Sequence, residues 1–313
     1  MKAYAIEGPE KPAKLVTVPD PEVGSRDVLV SIRAASVNGF DVHQATGAFT
    51  GMMEHRFPTV IGRDLAGVVE AAGSEVTDFA AGDEVFGFVP SVPPLVNGTF
   101  AERVSGSDLV LAPRPKELDF EHAAVLPLAG SAALDMLDAA GVKEGDTVLI
   151  VGATGGVGHF VVQLAARRGA TVIATAEPGD EAFVRELGAT HVVDHTAGKV
   201  VTEVRSLYPD GITTLIDVAS QGEALTDIGS VVGSGGRVVS LLGAADVDHF
   251  KGGGVKADNV LAVPTVEKLQ LLASMATSGE LKVMVQGVYS LDQIEGALEA
   301  FRQGKRGKLV IQV

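Results

Sequence analysis

The chain has 313 residues, of which 46% are hydrophobic and 21% charged, a composition typical of a folded globular protein. Its formal net charge of −15 argues against binding to nucleic acids or anionic membranes, because both are negatively charged. The chain has no cysteine, which excludes disulfides and thiolate metal sites. No signal-peptide pattern and no apolar run of roughly 18 residues, the length of a membrane span, is present, so we expect a cytoplasmic protein.

The first part of the chain, residues 1–118, contains short strands separated by Gly, Pro and Asp. Examples are residues 27–33, 67–71 and 83–87. This spacing is typical of an antiparallel β-barrel or a related β-rich domain.

From residue 119 onward, predicted strands alternate with predicted helices, beginning with a long helix over 121–140. Strands are predicted at 147–151, 171–175, 191–193, 214–219 and 237–242, and helices at 158–168, 181–187, 199–206 and 224–232. Such alternation with right-handed crossovers predicts a parallel, doubly wound sheet, so the fold class is α/β.

A polar, glycine-rich loop over 246–256 separates this region from the C-terminal part of the chain. There we predict a strand-like segment at 259–263, helices at 266–277 and 291–303, and strands at 283–288 and 308–313. We place the domain boundaries at 1–118, 119–258 and 259–313.

The segment 148–158 combines a buried-strand pattern, a glycine-rich turn and the start of a helix. The turn reads A-x-G-x-x-G, because Ala153 stands where the strict motif has its first glycine. Glycines let the backbone approach phosphates, and the first helical N–H groups point at them. The turn therefore predicts a dinucleotide site and redox chemistry, the alternative being an ordinary strand-to-helix turn. The residues predicted to bind the cofactor here are Ala153, Thr154, Gly155, Gly156, Val157 and Gly158.

Several longer motifs carry a resemblance to a known family. They are residues 34–41 (AASVNGFD), 58–69 (PTVIGRDLAGVV), 82–87 (GDEVFG), 124–130 (AVLPLAG) and 304–310 (GKRGKLV). With them the chain resembles the medium-chain dehydrogenase/reductase superfamily, and more closely its zinc-free quinone oxidoreductase (zeta-crystallin-like) branch. The resemblance implies a GroES-like, β-rich substrate domain, a Rossmann domain, and a C-terminal segment that returns to the substrate domain. It also implies a homodimer in which the segment 259–263 pairs across a two-fold axis.

The resemblance bears directly on zinc. Zinc-dependent relatives carry a cysteine ligand where Asn38 stands here, and a histidine ligand where Arg63 stands. Arg63 is a cation and cannot ligate a metal, so we expect a protein without a metal site. We also expect Arg63 and Asp64 to form an ion pair with a structural role.

Zinc-free relatives reduce quinones or activated alkenes with a hydride from the nicotinamide, so we expect a small hydrophobic quinone or enone as substrate. The alternatives are an alcohol dehydrogenase-like enzyme and a non-catalytic NADPH-binding protein. His43 is the candidate proton donor, and packing at the edge of a cleft is its alternative role. Asn38 is a candidate for binding the nicotinamide ribose or a substrate carbonyl, the alternative being a turn residue. The proline-rich loop 89–97 lines the substrate pocket or is an ordinary surface loop.

The cofactor preference is ambiguous. The second Rossmann strand ends in Ala176, where NAD-specific relatives carry an Asp, and this favours NADPH. Glu177 follows, and no Lys or Arg lies between 177 and 184, which disfavours a 2′-phosphate and keeps NADH as the alternative. Further cofactor contacts are predicted for Asn38, Leu242 and Lys308.

Overall fold

The computed structural model describes residues 1–304 and 306–313. Lys305, which belongs to the C-terminal motif, lies outside the described residues. The chain divides into two compact units, one formed by Met1–Ala129 and Pro264–Val313, the other by Gly130–Val263. The domain boundaries drawn after residues 118 and 258 remain predictions.

Sixteen strands and nine α-helices occur in the described residues. The strands are β1 (Lys2–Ile6), β2 (Lys14–Thr17), β3 (Val28–Ser36), β4 (Thr59–Val60), β5 (Asp64–Ala72), β6 (Glu84–Phe88), β7 (Arg103–Gly106), β8 (Val110–Pro113), β9 (Thr147–Val151), β10 (Thr171–Ala176), β11 (His191–Asp194), β12 (Ile212–Asp217), β13 (Val232–Ser240), β14 (Lys256–Asn259), β15 (Val285–Ser290) and β16 (Lys308–Gln312). The helices are α1 (Gly39–Ala45), α2 (Phe120–Ala140), α3 (Gly158–Arg167), α4 (Glu181–Glu186), α5 (Val200–Leu207), α6 (Glu223–Gly229), α7 (Val247–Gly252), α8 (Val266–Thr277) and α9 (Ile294–Arg302).

The first unit is built on a seven-stranded sheet whose strand order is β15-β16-β3-β5-β6-β8, with β7 also paired to β3. A second, three-stranded sheet has the order β2-β1-β4. The C-terminal strand β16 pairs antiparallel with β3, so that Val310 lies opposite Ser36. This pairing brings the start of β16 next to the residues that follow β3.

The second unit contains a parallel sheet in the order β11-β10-β9-β12-β13-β14. The strand order reverses between β9 and β12, and Asp217 at the end of β12 lies opposite Val151 at the end of β9. In doubly wound sheets, ligands bind beyond the carboxyl ends of the strands at this reversal. Four of the five residues of the central strand β9, residues 148–151, are apolar and buried, as the sequence pattern predicts for a strand covered on both faces. The predicted α/β class, with a GroES-like sheet domain and a Rossmann domain, is confirmed.

The segment predicted as a strand at 259–263 differs from the structure. The strand is β14, Lys256–Asn259, and its last pairing joins Ser240 to Asn259. Residues 260–263 extend beyond the end of β13 and have no strand partner in the described part of the chain. Leu261 is consequently 84% exposed and Val263 53% exposed.

Helix α2 is long and apolar enough, by length and composition, to cross a membrane, contrary to the expectation drawn from the sequence. In its most apolar stretch 78% of the residues are buried inside the protein. A core helix of a soluble protein passes the same test, so this feature is weak evidence for a membrane span.

Candidate functional site

The glycine turn of the second unit joins β9 to α3 at the reversal of strand order. Gly152 has φ +83°, a left-handed conformation that favours glycine, and its N–H donates to Thr175 Oγ1 at 3.1 Å. Gly155 N–H donates back to Gly152 O at 3.1 Å, which closes the turn. Helix α3 then begins with an amphipathic, largely buried sequence.

The backbone N–H groups at the start of α3 are available to a ligand. Those of Gly156, Val157 and Gly158 donate to no acceptor within residues 1–304 and 306–313. Unpaired N–H groups at a helix N-terminus favour an anionic group such as a pyrophosphate.

Two glycines of this turn are needed for different reasons. A Cβ on Gly158 would lie 2.0 Å from Gly152 O, so glycine is required there for the backbone to pack. A Cβ on Gly155 would meet only Gly152 O, at 3.4 Å, so a larger side chain would extend into open space. The arrangement therefore fits a dinucleotide: Gly158 permits the fold of the turn, and Gly155 leaves room above it.

Asp217 is a buried residue of this site that the sequence reasoning missed. Its Oδ1 accepts from Ser220 N–H at 2.9 Å, and its Oδ2 accepts from Ser240 Oγ at 3.3 Å. These bonds tie the end of β12 to the end of β13 beside the glycine turn, where a Cβ on Gly152 would lie 2.8 Å from Ala219 Cβ. An acidic residue at the end of an otherwise apolar strand was the signal that could have identified Asp217.

The other predicted cofactor contacts of this unit lie after neighbouring strands. Ala176 ends β10 and is buried, whereas Glu177 is exposed directly after it. Leu242 follows β13 and is exposed, and its backbone N–H donates to Ser240 Oγ at 3.3 Å. A carboxylate therefore stands at the end of the second Rossmann strand, where the ribose of a dinucleotide is expected.

In the first unit, a buried polar network joins two predicted site residues. Lys308 Nζ donates to Asn38 Oδ1 at 2.5 Å and to Val37 O at 2.8 Å, and it lies 3.8 Å from Asp64 Oδ2. Asn38 Nδ2 donates to Asp64 Oδ2 at 2.8 Å, and Ser36 Oγ donates to the same oxygen at 2.7 Å. The amide of Asn38 therefore bridges a buried lysine and a buried aspartate.

This network occupies the polar atoms that were predicted to reach a ligand. Both ends of the Asn38 amide are hydrogen-bonded inside the unit, and Lys308 is only 1% exposed. Burial raises the pKa of Asp64 and lowers the pKa of Lys308, while each residue opposes the shift of the other. The predicted contacts of Asn38 and Lys308 with cofactor or substrate stay predictions. What the structure shows is a hydrogen bond between the two side chains.

Asn38 also begins helix α1, which carries Asp41 and His43. Its backbone is extended, and its N–H donates to Asp41 Oδ2 at 2.9 Å, as expected of a residue that caps a helix N-terminus. Asp41 Oδ1 is buried without a hydrogen-bond partner in the described part of the chain. Burial raises the pKa of Asp41 to about 7, against the opposing charge of Arg63.

The expected ion pair between Arg63 and Asp64 is not formed among the described residues. Arg63 Nη2 donates to Gln44 Oε1 at 3.2 Å and Nη1 to Asn97 O at 3.4 Å. Asp64 accepts instead from the Lys308 network and from Leu128 N–H. Arg63 directly precedes β5, whose first residue is Asp64, and the two side chains bond to different partners.

His43, the predicted proton donor, is exposed on α1. Its Nδ1 lies 2.8 Å from Gly39 O and must donate there, because a carbonyl oxygen can only accept. Nε2 is therefore the atom through which His43 would exchange a proton. The ring also lies near Phe49, with 6.4 Å between the ring centroids.

The residues at positions 38 and 63, where the resemblance to zinc-dependent dehydrogenases implies metal ligands, do not fit a metal. The amide of Asn38 is hydrogen-bonded at both ends, and the guanidinium of Arg63 is a buried cation. Within the described residues no group of three or more His, Cys, Asp or Glu side chains has an arrangement that could hold an ion.

Comparison with known proteins gives matches to both units. The family described as "Alcohol dehydrogenase GroES-like domain" matches residues 24–114, and that described as "Zinc-binding dehydrogenase" matches residues 156–263. A 2-methylene-furan-3-one reductase from Solanum lycopersicum is 33% identical over 299 residues, which cover 93% of this chain and 73% of the relative. A quinone oxidoreductase from Sus scrofa is 29% identical over 328 residues, covering 99% of this chain and 96% of the relative. The structure of the quinone oxidoreductase from Coxiella burnetii matches with a TM-score of 0.90 at 30% identity, covering 100% of this chain and 99% of that one.

Proposed function

The chain belongs to the medium-chain dehydrogenase/reductase superfamily, in its quinone oxidoreductase branch, and from this premise we propose that it is an NADPH-dependent, zinc-independent reductase of quinones or α,β-unsaturated carbonyl compounds. The observation that carries the proposal is the glycine turn at the reversal of strand order, with three N–H groups available to a pyrophosphate. The names of the relatives support the substrate class, because one reduces a quinone and the other a methylene group conjugated to a ketone.

The bound nicotinamide supplies a hydride, and the protein's part is to bind, orient and protonate. The N–H groups of Gly156, Val157 and Gly158 would hold the pyrophosphate. Asp217 and Ser240 would keep the neighbouring strand ends in place. When a hydride is added to an electron-poor carbon of the substrate, the resulting enolate or hydroquinolate takes up a proton, and His43 Nε2 or solvent would provide it.

Zinc independence is part of the proposal and is supported by the chemistry of the two ligand positions. A buried guanidinium at position 63 would repel a divalent cation, and the amide at position 38 already accepts from Lys308. Without a metal to polarise an alcohol oxygen, reduction of an activated double bond is the better-matched chemistry.

The preference for NADPH rests on Ala176, and Glu177 opposes it. An exposed carboxylate beside the ribose would repel a 2′-phosphate, whereas it could accept a hydrogen bond from a 2′-hydroxyl. Replacing Glu177 by Gln should therefore raise the ratio of kcat/KM for NADPH to that for NADH. A homodimer and a cytoplasmic location complete the proposal, the first supported by the exposed apolar segment after β14.

The proposal is tested by steady-state oxidation of NADPH and NADH with a panel of quinones, enones and simple ketones as hydride acceptors. We expect turnover with quinones or enones and none with simple ketones. Gly155→Val should lose cofactor binding while its circular dichroism spectrum stays that of the wild type, because its side chain extends into open space. Turnover of simple ketones alone would indicate an alcohol dehydrogenase, and cofactor binding without turnover would indicate a non-catalytic protein.

A further inference from the structure

A buried histidine, His159, follows the glycine turn of the second unit as the second residue of α3. Its ring packs against Phe160, with 3.9 Å between the ring centroids, and its Nδ1 lies 3.1 Å from Gly155 O. Because a carbonyl oxygen can only accept, Nδ1 carries the proton of this hydrogen bond. The backbone N–H of His159 donates to the same oxygen, also at 3.1 Å. Gly155 O is therefore held by two donors of one residue.

The peptide unit that His159 holds joins two glycines, Gly155 and Gly156. Glycine has the widest range of φ and ψ, so a peptide between two glycines rotates more easily than one between residues with side chains. In a trans peptide the C=O and N–H groups point in opposite directions. The two bonds that draw Gly155 O towards α3 therefore aim the N–H of Gly156 away from the helix, and that N–H donates to no acceptor in residues 1–304 and 306–313.

The orientation of this one peptide decides whether the turn attracts or repels an anion. A Cβ on Gly155 would meet only Gly152 O, at 3.4 Å, so the turn has open space beside Gly155. A pyrophosphate bound there is stabilised by N–H groups that face it. Rotation of the Gly155–Gly156 peptide would present the Gly155 carbonyl oxygen instead, and its partial negative charge would repel the phosphates.

We propose that His159 is a positioning residue of the dinucleotide site, because the bond from Nδ1–H to Gly155 O keeps the Gly155–Gly156 peptide in the orientation that binds a pyrophosphate. The inference rests on the proposed function, in which this turn holds the pyrophosphate of NADPH or NADH. The backbone bond from His159 to Gly155 O would form with any residue at position 159, whereas the second bond needs a side-chain donor. A role in packing alone would be served equally well by an apolar side chain of similar size.

The proposal is tested by calorimetric titration of the whole protein with NADPH, NADH and ADP-ribose, which keeps the pyrophosphate and lacks the nicotinamide. His159→Leu removes the donor, and it should raise the dissociation constant of all three ligands about three- to tenfold, the equivalent of one net hydrogen bond. His159→Asn returns an N–H donor close to the position of Nδ1 and should restore the affinity. Phe160→Leu is the matched control, because it loosens the same packing and keeps the donor. It should lower the melting temperature and leave the three dissociation constants unchanged.

The outcomes separate this inference from the proposed function. Unchanged affinity in His159→Leu, while Gly155→Val loses binding, would overturn the role of His159 and leave the proposed function standing. Equal weakening in His159→Leu and Phe160→Leu, or no recovery in His159→Asn, would overturn it as well. A wild type that binds none of the three ligands would contradict both.

A second measurement needs no variant and decides if His159→Leu does not fold. Nitrogen-15 NMR of the wild type, labelled at histidine, shows which ring nitrogen carries the proton. We expect His159 Nδ1 to be protonated both in the free protein and with NADPH bound. A proton on Nε2 alone would overturn the proposal.

Discussion

Asn38 and Lys308 lie 270 positions apart in the sequence, and their side chains meet at 2.5 Å. Both were predicted as ligand-binding residues, and the structure places both in one buried network with Asp64. Removing one member of such a network leaves a buried charge or amide without a partner, which costs several kcal/mol, about 3–5 for a broken buried ion pair. The network therefore stabilises the start of α1 and the end of β3 in one arrangement.

At the scale of the residue, the role of His43 can be measured. His43→Ala should lower turnover by roughly tenfold to a hundredfold, the weak end of general-acid effects, because the exposed ring competes with solvent as proton source. Cofactor affinity should stay unchanged. His122→Ala, a change at another exposed histidine, is the matched control. Full turnover of His43→Ala on every substrate, with an unchanged pH profile, would assign His43 to packing against Phe49.

Asp41 makes the stability of the protein depend on pH. Burial raises its pKa from 3.8 to about 7, with Arg63, Asp64 and Lys308 as the charged groups that act on it. A raised carboxyl pKa means that the folded state binds the proton more tightly. The proton on Asp41 therefore contributes to the free energy of unfolding in full below about pH 4. This contribution, at most about 4 kcal/mol, is lost as the pH rises through about 7.

Asp41→Asn should remove this loss, because an amide cannot ionise. The free energy of unfolding is measured with denaturant at pH 5 and at pH 8. From pH 5 to pH 8 it should fall more for the wild type than for Asp41→Asn. Glu117→Gln, at an exposed carboxylate, should follow the wild type. Parallel pH dependence of wild type and Asp41→Asn would contradict the assignment.

At the scale of the element, the segment 260–263 extends past β14 with its apolar side chains exposed. An exposed apolar segment beside the edge strand of a sheet favours pairing with a second copy. We therefore expect a homodimer in light scattering at micromolar concentration, and a monomer when Leu261 and Val263 are replaced by Lys. Lysine at Leu271, an exposed apolar residue of α8, is the control. A wild-type monomer would contradict this expectation.

The order and type of most elements could be predicted from the sequence, but helix α7, Val247–Gly252, lies within the segment predicted as a loop over 246–256, and some boundaries differ. The strand–helix alternation after residue 119 could be predicted because buried parallel strands are apolar throughout, whereas apolar residues recur about every 3.6 residues along a helix. Strand β14 was misplaced because its sequence is polar, Lys256 to Asn259, and its position is set by pairing with β13. The true strand is identified by a tertiary contact, and the apolar residues beyond it resemble a strand only in composition.

The candidate site was predictable to a similar degree. The glycine turn was readable because its chemistry is contained in eleven consecutive residues, 148–158. The network of Asn38, Asp64 and Lys308 was not, because β16 and β5 are placed beside β3 by sheet pairing that no local pattern encodes. A lysine at the start of the apolar strand β16 was the available signal, since a buried lysine requires a partner.

At the scale of the whole molecule, two units from three chain segments contain a doubly wound parallel sheet and a β-rich unit, and the described residues include no group of three or more His, Cys, Asp or Glu that could hold a metal. The matched families and relatives are named for alcohol dehydrogenases and for quinone or enone reductases, so family membership alone leaves the reaction open. In our proposal, the chemistry of positions 38 and 63 favours reduction of an activated double bond over reduction of a carbonyl group.

The most direct measurement follows the hydride itself. The protein is treated with a chelator and incubated with NADPH deuterated at the transferable position of the nicotinamide, together with a simple enone. We predict that deuterium appears at the β-carbon of a saturated ketone and that a solvent-derived proton appears at the α-carbon, at an undiminished rate after chelation. Deuterium at the carbonyl carbon of an allylic alcohol, or activity that is lost on chelation and restored by zinc, would contradict the account.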